Sequence, residues 1–158
     1  MSSLEIEIRQ RGDKSMVTLV GVIDEGADFS ALASLRNRAE INMKGVRRVN
    51  SYGARSWMDA IRNAAKRCEL EFVECSSCVI DQLNMLQGFL GHGQVRSFYG
   101  PMICEVCDNS VDHLFTARDI LNGHGGLPEV ECEHCARPMV MDDLEDQYLL
   151  FLREPTLL

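Results

Sequence analysis

The chain has 158 residues, 46% hydrophobic and 25% charged, which is enough to bury the core of one ordinary domain or two small ones and excludes a largely disordered tail. No apolar run approaches the roughly 18 residues of a membrane-spanning helix, and the opening MSSLEIEIRQ lacks a signal-peptide core, so a cytoplasmic protein is expected. The net charge of −8 and seven cysteines are unevenly placed: residues 1–94 carry 12 Lys/Arg against 12 Asp/Glu, residues 95–158 carry 4 against 12 together with four of the cysteines. That break predicts a neutral domain over 1–94 and an acidic one over 95–158.

Residues 4–10 alternate like a half-buried strand, 11–14 form a turn, and Ser15–Ile23 reads as a second strand, completing a hairpin. Phe29–Arg36 is predicted as a short helix with Leu32 and Leu35 inward. Ala39–Met43 follows as a third strand and Gly45–Asn50 as a loop. From Ser51 the helical period is plain, with Ala54, Trp57, Met58, Ile61, Ala64, Ala65 and Cys68 on one face. Glu69–Cys75 alternates as a fourth strand. A further helix carries Val79, Ile80, Leu83, Leu86 and Leu90 until Gly88, Gly91 and Gly93 break it. This order predicts an α/β fold, a mixed β-sheet with helices packed on it.

Asn50-Ser51-Tyr52-Gly53 stands between the third strand and the long helix, where Asn or Ser caps the first unpaired N–H groups and Gly allows close approach. The hairpin, the strand INMKGVRRV leading into this turn, and the amphipathic helix after it resemble a STAS domain, the module of anti-sigma-factor antagonists. The resemblance spans residues 3 to about 95. It implies a non-enzymatic regulatory module, with an anti-sigma factor or a serine kinase as its expected partner. It also marks Ser51 as a candidate phosphorylation site. The chain departs from the family pattern twice, with Asn50 where the family has aspartate and Tyr52 where it has a second serine. Asn50, Ser51, Tyr52, Gly53, Arg55, Arg62 and Lys66 are expected to form the docking surface, for that partner or for the acidic half of a second copy.

Cys104-Glu105-Val106-Cys107 and Cys132-Glu133-His134-Cys135 are CxxC pairs separated by 24 residues. Two residues between thiolates let both sulfurs of a tight turn reach one ion, and two such turns complete a tetrahedral site. The segment resembles a zinc ribbon, with an inserted element expected over Val111–Leu121. One structural Zn²⁺ held by Cys104, Cys107, Cys132 and Cys135 is predicted; four thiolates leave no open position for catalysis. His134 is set aside as a substitute ligand, and His113 and His124 are expected to face solvent. Cys75 and Cys78 make a third CxxC, read as buried small residues, with thiol redox as the enzymatic alternative. The other alternative is a transcription-associated ribbon that binds nucleic acid, which the acidic surplus opposes. Residues 141–143 are expected to cap a last helix whose apolar stripe is Leu144, Tyr148, Phe151 and Leu152.

Overall fold

A computed structural model describes residues 4–123 and 126–153 as a mixed α/β protein, so the expectation for His124 falls outside the described residues. The elements run β1 (Leu4–Arg11), β2 (Lys14–Ile23), a 3-10 turn (Ser30–Ser34), β3 (Asn37–Val49), α1 (Ser51–Ala65), β4 (Cys68–Val73), α2 (Ser77–Met85), β5 (Gln94–Val95), β6 (Ser97–Ile103), β7 (Ser110–Thr116), α3 (Ala117–Asn122), β8 (Val140–Met141), α4 (Glu145–Tyr148) and α5 (Leu150–Arg153). None of the helices is long and apolar enough to cross a membrane, among the described residues.

The first five strands form one sheet in the order β1-β2-β3-β4-β5, with β1 antiparallel to β2 and the remaining pairs parallel. One face follows from alternation: Val17 and Leu19 on β2, Ala39, Ile41 and Met43 on β3, and Leu70 and Phe72 on β4 are all buried. The buried stripe of α1, led by Ala54, Trp57 and Ile61, belongs to the same core. Trp57 is its centre, with ring centroids 5.7, 6.5 and 6.2 Å from Phe29, Phe72 and Phe89. Its indole N–H donates to the Phe89 carbonyl at 2.8 Å, as a buried tryptophan requires. The opposite side of the sheet carries an ion-pair network, in which Lys14, Arg38 and Arg96 meet Glu40 and Glu71 at 3.3–3.8 Å.

Several sequence expectations change here. The third strand does not stop at Met43; it runs to Val49, absorbing most of the predicted loop. It continues beside β2 through two register shifts, at Thr18/Val20 and Gly21/Val22. Gly45 makes this passage fit, since a Cβ there would lie 2.8 Å from the Leu19 carbonyl. Cys68 does not close the α1 stripe but opens β4, and Ala65 is exposed. The second long helix ends at Met85, so Leu86 and Leu90 pack from the loop beyond it. The last predicted helix is two short ones, α4 and α5, and Leu144 stands 64% exposed outside them.

β5 was not predicted, and it explains how the second half of the chain is attached. Only Arg96 separates it from β6, and its N–H donates to the Phe72 carbonyl at 2.8 Å. Past Val73 the chain of β4 kinks at Glu74, whose φ is 50°. Cys75 then bridges in parallel to Phe98 on β6, through Cys75 N–H to the Ser97 carbonyl and Tyr99 N–H to the Cys75 carbonyl. One run of chain, 94–103, thus closes the first sheet and founds a second, ordered β7-β6-β8 and antiparallel. The composition break at 94/95 falls inside β5. Phe98, Met102, Phe115, Met141, Tyr148 and Leu149 fill the space under this second sheet and are continuous with the first core.

Candidate metal centre and docking turn

The inserted element expected over Val111–Leu121 is β7 followed by α3, and it leaves the two CxxC turns side by side. The turns are built alike. In the first, Cys104 N–H donates to the Asn109 carbonyl and Asp108 N–H returns to the Cys104 carbonyl, both at 2.8 Å. In the second, Cys132 N–H donates to Arg137 and Ala136 N–H to Cys132, again at 2.8 Å. Asp108 and Ala136, each next after the second cysteine, have φ of 62° and 61°. This left-handed residue reverses the chain around the sulfurs; alanine accepts it only at a cost of about 1–2 kcal/mol. No sequence pattern singled out either position.

The sulfurs of Cys104, Cys107, Cys132 and Cys135 all lie within 4.8 Å of one another, and these four residues could hold a metal ion. Cys104 Sγ lies 3.4 Å from Cys135 Sγ, and Cys107 Sγ lies 3.6 Å from Cys132 Sγ. Zn–S bonds of about 2.3 Å place tetrahedral sulfurs roughly 3.8 Å apart, so the spacing suits such an ion. Backbone N–H groups point at each sulfur. Those of Cys107 and Val106 lower the Cys104 thiol. At Cys132 burial acts upward, but the N–H groups of His134 and Cys135, the Cys107 thiol and the Asn109 side chain outweigh it and hold the thiol at about 6. The N–H of Asn109 acts downward on Cys107, yet burial and the three neighbouring sulfurs push it up to about 12. Cys135 is raised in the same way, chiefly by Cys104, against the N–H of Arg137. Four negative charges this close repel one another unless a cation sits among them. The amide of Asn109, donating to Cys132 Sγ at 3.7 Å, is a contact that sequence reading missed. His134 is exposed; His113 is half-buried, its ring edge-on to Phe115 at 4.7 Å, rather than fully in solvent.

At the other candidate site, Asn50 caps α1 as expected, its side-chain oxygen accepting from Gly53 N–H at 2.8 Å. Its amide donates to Glu25 at 2.7 Å, and this bond holds the Glu25 carboxyl below its ordinary value. The Asn50 N–H donates to the Ile23 carbonyl, tying the helix start to the end of β2. Gly53 faces inward. A Cβ there would lie 2.3 Å from the Ile23 carbonyl oxygen, so Gly53 seats the helix and offers no surface to a partner. Ser51, Tyr52 (73% exposed) and Arg55 stand outward on the first turns. Arg62 and Lys66 are exposed at the opposite end of α1, roughly 16–22 Å away at 1.5 Å per residue.

Cys75 is wholly buried at the seam between the sheets, and burial pushes its thiol up to about 12. Cys78, the second residue of α2, has its thiol 3.2 Å from the Val46 carbonyl and 3.3 Å from the Ser76 hydroxyl. Among known proteins no family model matches this chain, and no curated protein matches it.

Proposed function

We propose that this chain is a non-enzymatic regulatory module of the STAS type, docking a protein partner through the turn and helix start at Ser51, with one structural zinc ion in its second half. The observation that carries this reading is the presentation of Ser51. Its side chain is exposed at the first position of a helix whose start is fixed on two sides, by the Asn50 cap and by the Gly53 contact with β2. Tyr52 and Arg55 flank it, giving a partner an aromatic ring and a cation. The strand order β1-β2-β3-β4-β5 with α1 on the buried face supports the same reading.

As a switch, a partner kinase would transfer the γ-phosphoryl group of ATP to Ser51 Oγ, releasing ADP and the hydroxyl proton. The phosphate would sit at a helix N-terminus, where partial positive charge favours it, with Arg55 one turn on. The zinc assignment rests on the sulfur-only donor set. The redox alternative has less support, since Cys75 is enclosed and its thiol held protonated. Nucleic-acid binding would bring phosphates to a region with 12 acids against 4 bases.

The test uses wild-type, Ser51→Ala and Ser51→Asp chains as baits, with Arg55→Glu as a fourth. A partner retained by the first two and lost from the other two supports the reading. Identical recovery by all four overturns it. Because Ser51 is exposed, its substitutions are expected to change stability by less than about 0.5 kcal/mol.

A further inference from the structure

We propose that the chain also binds a phosphate dianion, free or as a monoester, in a cavity between the last turns of α1 and the glycine-rich loop after α2. The cavity holds about 480 Å³ and is lined by Arg62, Lys66, Gln87, Gly88, Gly91 and His92. Two permanent cations, an imidazole and a carboxamide thus converge on one space, and among the described residues no carboxylate lines it. Arg62 and Lys66 are four residues apart and so share a face of α1. Two cations match a dianion, whereas a single carboxylate would leave one of them unpaired. Among the described residues no Phe, Tyr or Trp ring lines the cavity, and its lining offers charge and hydrogen bonds instead.

The far wall is held in place and bare. Trp57 fixes the loop through its bond to the Phe89 carbonyl. Gly91, with φ of 59°, lies so close to α1 that a Cβ would fall 2.5 Å from Ile61 Cγ2. Gly88, with φ of 80°, has nothing within 4 Å of its Cβ position, leaving its backbone open to a ligand. A wall fixed before binding loses little freedom on binding.

Two features oppose an anion, and both are weak. Arg62 meets Asp59 at 3.3 Å, but the pair is 66% and 70% exposed, and such pairs contribute little. The carbonyl end of a helix carries partial negative charge. Here the guanidinium of Arg67 donates to the Asn63 carbonyl at 2.9 Å, and backbone N–H groups of Lys66 and Arg67 take Asn63 and Ala64. This site is separate from Ser51 and stands or falls without it.

The experiment follows backbone amides by NMR during titration with inorganic phosphate, phosphoserine or glycerol phosphate, against sodium chloride at matched ionic strength. Saturable shifts are expected at Gly88, Gly91 and His92, weakened at least tenfold in the double variant Arg62→Ala, Lys66→Ala. Both substituted side chains are exposed, and overlay of the remaining amides verifies that the variant is folded. Tighter binding of the esters names a monoester as ligand; equal binding names free phosphate. Shifts that do not saturate, that sodium chloride reproduces, or that persist unchanged in the double variant overturn the proposal.

Discussion

The two sheets solve the same problem, covering an apolar face, with different means. The five-stranded sheet has a 15-residue helix over it and an aromatic cluster about Trp57. Its other side pairs five charged side chains with one another. The three-stranded sheet has two strands of seven residues and one of two, and α4 and α5 beside it have four residues each. On its outer side Leu114 and Val140 are both 42% exposed. Twelve acids there stand against four bases, so the region carries a strong negative surplus. A region so short of core and so negatively charged needs a cross-link, and the sulfur cluster is placed to be one. Charge balance and core size go together in this molecule, and the four close sulfurs lie in the half where both are low.

The sharpest way to break that comparison is to strip any ion that the four sulfurs hold. Apparent zinc-binding energies of about 10–16 kcal/mol exceed what a region of this size gains from packing. Chelation, or Cys132→Ala, is therefore expected to abolish amide-exchange protection over 104–141 while β1–β4 and α1 keep theirs. Native protein should carry about one zinc per chain by elemental analysis, and the variant none. Persistent protection of 104–141 in metal-free protein would refute the idea that the cross-link holds this half.

How far the sequence announces this arrangement depends on the range of the signal. α1 is legible because seven positions share one period, although Ala65 is exposed at its last residue and Cys68 is buried from β4 instead. The cysteine pairs are legible because their chemistry is local to each turn. β5 is not, since two residues carry no period and pair only through the edge of β4. The extension of β3 was hidden by Lys44, Arg47 and Arg48, which resemble a loop but point away from the core. Asn109 reaches a sulfur 23 residues along the chain, and no spacing rule finds such a contact. The exposure of Ser51 and the inward turn of Gly53 likewise depend on where β2 ends.

A smaller effect sharpens the comparison at the contact between the halves. Asn84 on α2 donates to the Tyr148 carbonyl at 2.9 Å and accepts from Phe151 N–H at 3.0 Å, spending both ends of its amide on the chain around α4 and α5. Asn84→Ala removes both bonds and leaves two backbone groups unsatisfied, a loss of about 1–3 kcal/mol. The expected signature is faster amide exchange at 148–151, with β1 to β3 unchanged. Equal loss of protection in both halves would mean that they unfold as one unit.

The smallest effect reports on the seam itself and follows from protons. Burial raises the Cys75 thiol to about 12 from an ordinary value of 9.0, and burial, then nearby carboxylates, raise the Tyr148 phenol, which donates to the Tyr99 carbonyl at 2.5 Å. Both groups are neutral when protonated. Below about pH 9 the folded and unfolded chains hold the same proton on Cys75, so it adds no pH dependence. Between 9 and 12 the unfolded chain releases that proton and the folded chain keeps it. The unfolded state then binds fewer protons, and stability falls as pH rises, by on the order of 1 kcal/mol per unit for one such group. Tyr148 adds the same sign from its own ordinary value of 10.0 upward. Urea midpoints at pH 8, 9 and 10 should therefore drop above pH 9 in the wild type and drop less in Cys75→Ala. Tyr148→Phe, which keeps the ring and removes the phenol, should flatten the remaining slope. An unchanged slope in both variants would place the alkaline sensitivity elsewhere, and the seam would then be no more proton-sensitive than either sheet.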